Sequence, residues 1–170
     1  MKAGFYPVKD MSKKETTLII DNFNAISISK RKLIDASKKY KNPIAVLTLK
    51  EDVYLGHGIH HFDSKVNILA SLGVDMVQFY SYKEEENFFE GLDFIKKAIK
   101  TFKASRIIVS ENFSLKSKDN FDVAKFLKNY PTLEVIKEEK LSFKKVDEDF
   151  IKENISTGDF KLVKALMGQP

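Results

Sequence analysis

The sequence predicts an α/β fold, a doubly wound and mostly parallel sheet with helices on both faces. Two observations carry that expectation. Short β-branched runs alternate with longer stretches of helical period, and no repeat, low-complexity tract or Gly/Pro/Ser-rich linker breaks the alternation. Strand–helix alternation at this length forces parallel neighbours joined by crossovers, with the helices packed on the sheet. At 170 residues, 43% of them apolar, one domain spanning residues 1–170 has enough length to bury a proper core.

Residues 1–16 are polar and lysine-bearing, without the apolar centre of a leader peptide, and read as a flexible lead-in. Thr17–Ile20 is a run suited to a buried strand, followed by a turn at Asp21–Asn24. Leu33, Ile34 and Ser37 share one helical face within Ser29–Tyr40, and Asn42-Pro43 stops that helix. Ile44–Leu49 is the next strand. Ser64 is the expected cap of a helix carrying Val66, Ile68, Leu69 and Leu72, closed by Gly73. Asp75–Tyr80 follows as a strand. Phe88, Phe89, Leu92, Ile95, Ile99 and Phe102 recur at three- and four-residue steps, the clearest helix in the chain.

Arg106–Val109 and then Leu133–Ile136 and Leu141–Val146 read as strands, with a helix over Phe121–Tyr130. Phe150–Ile155 and Phe160–Met167 read as short helices broken at Gly158. The sheet should therefore have five or six strands, parallel in its central part. In such sheets ligands sit beyond the carboxyl ends of the strands, where the strand order reverses. The loops after Ile20, Leu49, Tyr80 and Val109 are the first candidates.

Composition excludes several functions. The chain has no cysteine, hence no disulfide, thiol catalysis or cysteine-ligated metal. The net charge of +5 comes almost wholly from lysine, scattered among 24 acids, with Arg31 and Arg106 as the two arginines. A nucleic-acid interface would concentrate its charge and use arginine forks, so nucleic acid is not the expected partner. No apolar run approaches the roughly 20 residues of a membrane span. A cytoplasmic location with no membrane contact is the expectation.

Three collinear segments resemble the nucleotidyltransferase domain of bacterial FAD synthetases. Asp21-Asn22-Phe23-Asn24-Ala25-Ile26-Ser27-Ile28-Ser29-Lys30 is similar to that family's G-N-F-D-G-V-H-x-G-H, with Asn22 and Phe23 matching. Ser64 to Asp75 is similar to its E-K-x-x-L-L-x-x-L-G-V-D. Gly158-Asp159-Phe160 through Leu166-Met167-Gly168-Gln169-Pro170 is similar to its closing G-D-L…L-L-G-R-P. In that family a riboflavin-kinase barrel begins after the closing motif, and a chain that stops at Pro170 is expected to lack it.

The resemblance implies a Rossmann-like nucleotidyltransferase of the HIGH superfamily. Its reaction is adenylyl transfer, in which the FMN phosphate attacks the α-phosphate of ATP to give FAD and pyrophosphate, with Mg2+. It implies that Asn22, Phe23, Asn24, Ser27, Ser29 and Lys30 hold ATP and its phosphates. Ser27 and Lys30 stand at the catalytic histidine positions, and Asn112 and Phe113 stand in the flavin or nucleotide pocket. A histidine pair at a helix N-terminus adds charge to amides that already favour phosphate. Ser27 carries no charge, and the side chain of Ser29 narrows the space that glycine leaves open. Lys30 retains a cation.

Other motifs depart further. T-F-x-P-H-P becomes Thr48-Leu49-Lys50-Glu51-Asp52-Val53, and G-x-D-F-x-F-G becomes Ser110-Glu111-Asn112-Phe113-Ser114-Leu115-Lys116. The phosphate-contacting S-S-T-x-I-R aligns with Asp147-Glu148-Asp149-Phe150-Ile151-Lys152, where acids replace hydroxyls. These acids either oppose a phosphate or simply favour the start of the following helix. The expected activity is therefore weakened or lost.

Two other readings stand beside this one. His57, His60 and His61 share a glycine-flanked loop and offer an incomplete metal site, in which Asp63 is a further candidate ligand. The alternative is a flexible polar loop. The second reading is a non-catalytic derivative that binds nucleotide, flavin or a protein. Fourteen phenylalanines supply the core, and Phe88-Phe89 with Tyr80-Ser81-Tyr82 offer a patch on which a homodimer could form.

Overall fold

The computed structural model describes residues 5–7, 14–21, 23, 25–49, 62–80, 88–111, 132–136, 140–141, 144–146 and 148–168. Strand β2 (Thr16–Ile20) is the hub of the main sheet and is buried along its whole length. It runs parallel to β3 (Ile44–Leu49) on one side and to β5 (Ala104–Ser110) on the other. Parallel strands β4 (Met76–Tyr80) and β6 (Thr132–Ile136) extend the two wings. A short strand, β1 (Phe5–Pro7), adds to β4 in the antiparallel sense. The order is β1-β4-β3-β2-β5-β6. It reverses at β2, so the switch point lies between the carboxyl ends of β2 and β5.

Two-residue alternation explains the layers. Leu18, Ile20, Ala45, Leu47, Ile107 and Val109 face helix α3 (Phe88–Thr101), which contributes Ile95, Ala98 and Ile99, with Phe102 just after its end. Ile19, Val46, Val77, Phe79 and Ile108 face the other way, against Leu33 and Ile34 of α1 (Ile28–Lys38) and Leu69 of α2 (Phe62–Ser71). Each of the Val, Leu, Ile and Phe side chains among these contributes roughly 1.5–3 kcal/mol on burial. Truncating a central one, Ile108→Ala, would leave a cavity costing about 2–5 kcal/mol. A third cluster joins Ala25, Val146, Ile151, Leu166 and Met167. It seats α4 (Glu148–Ser156) and α5 (Phe160–Leu166) against the segment that leads into α1.

Several elements depart from the sequence expectation. Ser64 lies inside α2, which starts at Phe62 and carries Asp63 in its first turn, where an acid complements the helix dipole. Residues 141–146 do not form one strand; β7 (Lys140–Leu141) and β8 (Lys144–Lys145) pair as an antiparallel hairpin. The lead-in contributes β1, for which the sequence carries no alternation signal. The helix expected over Phe121–Tyr130 lies outside the described residues. Gly73 (φ +95°) and Gly158 (φ +80°) occupy the left-handed region where helices end.

Candidate functional site

The carboxyl end of β2 runs directly into the turn that starts α1. The Asp21 amide still follows the ladder, donating to the Leu47 carbonyl at 3.2 Å. The Phe23 amide donates to Thr48 Oγ1 at 3.0 Å, which fastens the turn to the end of β3. Phe23 and Ile26 are buried in the core beneath α1, so apolar packing fixes the path of the turn. Ser27 is the N-cap, yet its side chain makes no capping bond. Its hydroxyl instead donates to the Val146 carbonyl at 3.5 Å, toward α4. The first turn of α1 carries no acid.

Lys30, in that first turn, donates from Nζ to Asp21 Oδ1 at 2.7 Å. The pair is sheltered: the side chains are 14% and 2% exposed, respectively. A lysine at a helix N-terminus opposes the macrodipole, and the Asp21 carboxylate compensates both charges at once. Low-dielectric surroundings strengthen the attraction, and the desolvation of both ions offsets much of it. Ser110, at the end of β5, is 4% exposed. Its Oγ meets no hydrogen-bond partner among the described residues. Val109 registers with Ile20, so Ser110 stands beside Asp21 across the switch point. Alternation turns it to the α1 side, as for Ile108.

Among the residues singled out from sequence, the structure brings Phe23, Ser27, Ser29 and Lys30 together around the start of α1. Phe23, Ser27 and Ser29 are buried. Asn22, Asn24, Asn112, Phe113, His57, His60 and His61 lie outside the described residues, as does Asp147. Glu148 opens α4 and Asp149 is exposed, a position where acids favour the helix start. Asp63 is exposed in the first turn of α2. No group of three or more His, Asp or Glu among the described residues is placed to hold a metal ion. No helix among them is long and apolar enough to cross a membrane. The side chains of Phe88, Phe89, Tyr80 and Tyr82 are not among those described. The exposed large apolar side chains that are described are Val135, Ile155 and Phe160.

Asp21, Thr48 and Ser110 escape a reading based on motif matches. A signal was available for Asp21: a charge placed directly after a buried strand run must find a counter-ion, and Lys30 is the cation one helical turn into the next element.

No protein-family model matches the chain, and no curated protein matches it by sequence. Solved structures do match. The crystal structure of a macrolide-efflux protein from Streptococcus pneumoniae superposes with a TM-score of 0.75 at 19% identity, over 96% of this chain and 59% of that one. The chain thus spans 59% of the length of that neighbour. Pantoate-beta-alanine ligase from Francisella tularensis, solved with beta-gamma ATP and beta-alanine, superposes with a TM-score of 0.57 at 14% identity. That match covers 93% of this chain and 72% of the ligase chain. At these identities the likeness is one of fold, a Rossmann-like parallel sheet with helices on both faces.

Proposed function

We propose that the chain is a FAD-synthetase-like nucleotidyltransferase domain whose nucleotide site lies where β2, β5 and the start of α1 meet, and whose adenylyl transfer is slow or lost. The observation that carries this reading is the Asp21–Lys30 pair at 2.7 Å. It stands at the carboxyl edge of the sheet beside the order reversal, where this fold class receives ligands. It also engages the cation that the phosphates of ATP would use. The ligase neighbour, solved with beta-gamma ATP, lends support by fold alone.

In the reaction, an FMN phosphate oxygen forms a bond to the α-phosphorus of ATP as the bond to pyrophosphate breaks. The work left to the protein is positioning and charge neutralisation. The α1 amides and Ser29 would orient the phosphates, and Lys30 would offset charge only when not held by Asp21. The described residues do not fit a magnesium site of their own. Asp21, the buried carboxylate at this corner, faces an ammonium that would repel the ion.

Incubation with ATP, FMN and magnesium should yield FAD far below about 1 turnover per second, the low end of ordinary enzymes. Turnover at or above that rate would overturn the weakened-site reading. A second reading is favoured by one observation: Phe160 is 62% exposed at the start of α5, close in sequence to exposed Ile155 at the end of α4. Under it, the domain binds nucleotide, flavin or a protein without catalysis. Light scattering that shows a dimer, together with absent FAD formation, would favour it.

A further inference from the structure

The corner where β2 gives way to α1 carries an anion of its own. Asp21, 2% exposed, sits just beyond the end of β2 and 2.7 Å from Lys30 in the first turn of α1. Around it are the positive end of an 11-residue helix, whose N-cap hydroxyl is turned to Val146, and the buried Ser110 hydroxyl, which meets no partner among the described residues. Helix amides, an ammonium and a spare hydroxyl form the donor set that a phosphate oxygen takes. Here a carboxylate oxygen takes the ammonium. In the resembled motifs both Asp21 and Ser110 stand at glycines, so two side chains now project where bare backbone would leave room.

We infer that Asp21 is a built-in anion filling the phosphate corner of this domain, so that the natural chain does not accept a polyphosphate there, and that removing its charge opens the corner. This rests on reading the α1 start as the nucleotide site. The carboxylate has two advantages over a mobile phosphate. It is tethered, so its effective concentration beside Lys30 is high, and it brings one charge rather than several into a sheltered place. The corner is thereby stable without a ligand.

The test uses inorganic tripolyphosphate, which lacks base, sugar and flavin, at low ionic strength. Calorimetry measures its affinity, and the backbone amide signals of Ser29 and Lys30 locate it. Millimolar tripolyphosphate should leave the natural protein's α1 amides unmoved. Asp21→Asn, which keeps the volume and removes the charge, should bind about tenfold tighter or better and shift those amides. Adding Lys30→Met should abolish the gain. Where thermal melting shows that Asp21→Asn does not fold, Asp21→Ser carries the same comparison. Saturable shifts of the α1 amides in the natural protein would overturn the inference, as would a folded Asp21 variant no tighter than the natural chain. FAD formation without any tripolyphosphate effect would remove this inference and leave the proposed activity standing. A tripolyphosphate effect without FAD formation would uphold this inference together with the lost-activity form of the reading it rests on.

Discussion

Arg106 lies over the ring of Tyr40, its guanidinium carbon 3.8 Å from the ring centroid. Tyr40 also donates its hydroxyl to Glu134, and Lys39 donates to the same carboxylate at 2.6 Å. This cluster ties the C-terminal end of α1 to β5 and β6, while Lys30 ties the N-terminal end to β2. The helix that forms one wall of the candidate site is therefore held at both ends by charged contacts.

The cluster predicts a pH dependence. Burial pushes the Glu134 carboxyl upward, but hydrogen bonds from Lys39 and Tyr40, with the charges of Lys39 and Arg106, outweigh it and hold its pKa below the ordinary 4.5. A lowered carboxylate pKa gives stability that is full above the unfolded value and is lost as pH falls through the folded one. Thermal unfolding should therefore show Glu134→Gln less stable than the natural chain near neutral pH, with the gap closing below about pH 4. The hydrogen bond that Lys39 donates to Glu134 raises the pKa of Lys39. Its share of the stabilisation is present below the ordinary value and disappears only as alkali passes the raised one. A gap that persisted undiminished into acid would contradict this account.

Removing one member of the sheltered pair should cost more than removing both. Asp21→Ala takes from the sheltered Lys30 ammonium the carboxylate 2.7 Å away and should cost up to about 3–5 kcal/mol in urea unfolding. Asp21→Ala combined with Lys30→Met should recover part of that loss. Strict additivity would show that the two charges are not coupled.

Thr48→Val is nearly isosteric yet removes the acceptor for the Phe23 amide. A buried donor left without a partner costs roughly 1–3 kcal/mol, and Thr48→Ser should cost less. A larger loss for Thr48→Ser, which keeps the hydroxyl and lacks the methyl that valine retains, would assign the effect to packing of the methyl group instead.

Backbone conformation separates two kinds of glycine. A Cβ at Gly158 would meet nothing within 4 Å, so Gly158→Ala should cost only the left-handed backbone penalty, about 1–2 kcal/mol. At Gly168 (φ +64°) it would also approach Arg31 Nε at 3.0 Å, so Gly168→Ala should cost more and disturb the start of α1. Conversely, Lys41 (φ +57°) and Lys103 (φ +49°) already bear that penalty. Lys103→Gly should be neutral or stabilising by up to about 1 kcal/mol. Denaturant midpoints for these variants check the set.

The layered fold was legible because its signals are local. Thr17–Ile20, Ile44–Leu49 and the three- and four-residue steps of Phe88 to Phe102 each declare their period within one window. β1 carried no such signal: three residues, one of them Pro7, become a strand only because the edge of β4 offers a partner. The site was half legible. Ser27 and Lys30 could be placed at a helix start from the pattern. That Ser27 spends its hydroxyl on Val146, 119 residues away, and Lys30 its charge on Asp21 is a matter of tertiary geometry. A motif records which residues are present, not which of them have already been claimed by a neighbour.

The placement of β1 has a consequence for how the chain is made. Synthesis proceeds from the N-terminus, so Phe5–Pro7 leaves the ribosome before the other described strands, yet its pairing partner is β4, whose residues emerge only after β2 and β3. Until then the earliest segment has nothing to zip onto. The β2–β3 and β3–β4 pairings close shorter stretches of chain than β1–β4, bear the smaller loop-closure cost and should form first. β1 is then a latch fastened late, and shortening it should leave early collapse unchanged while the rim of β4 stays open to passing chains.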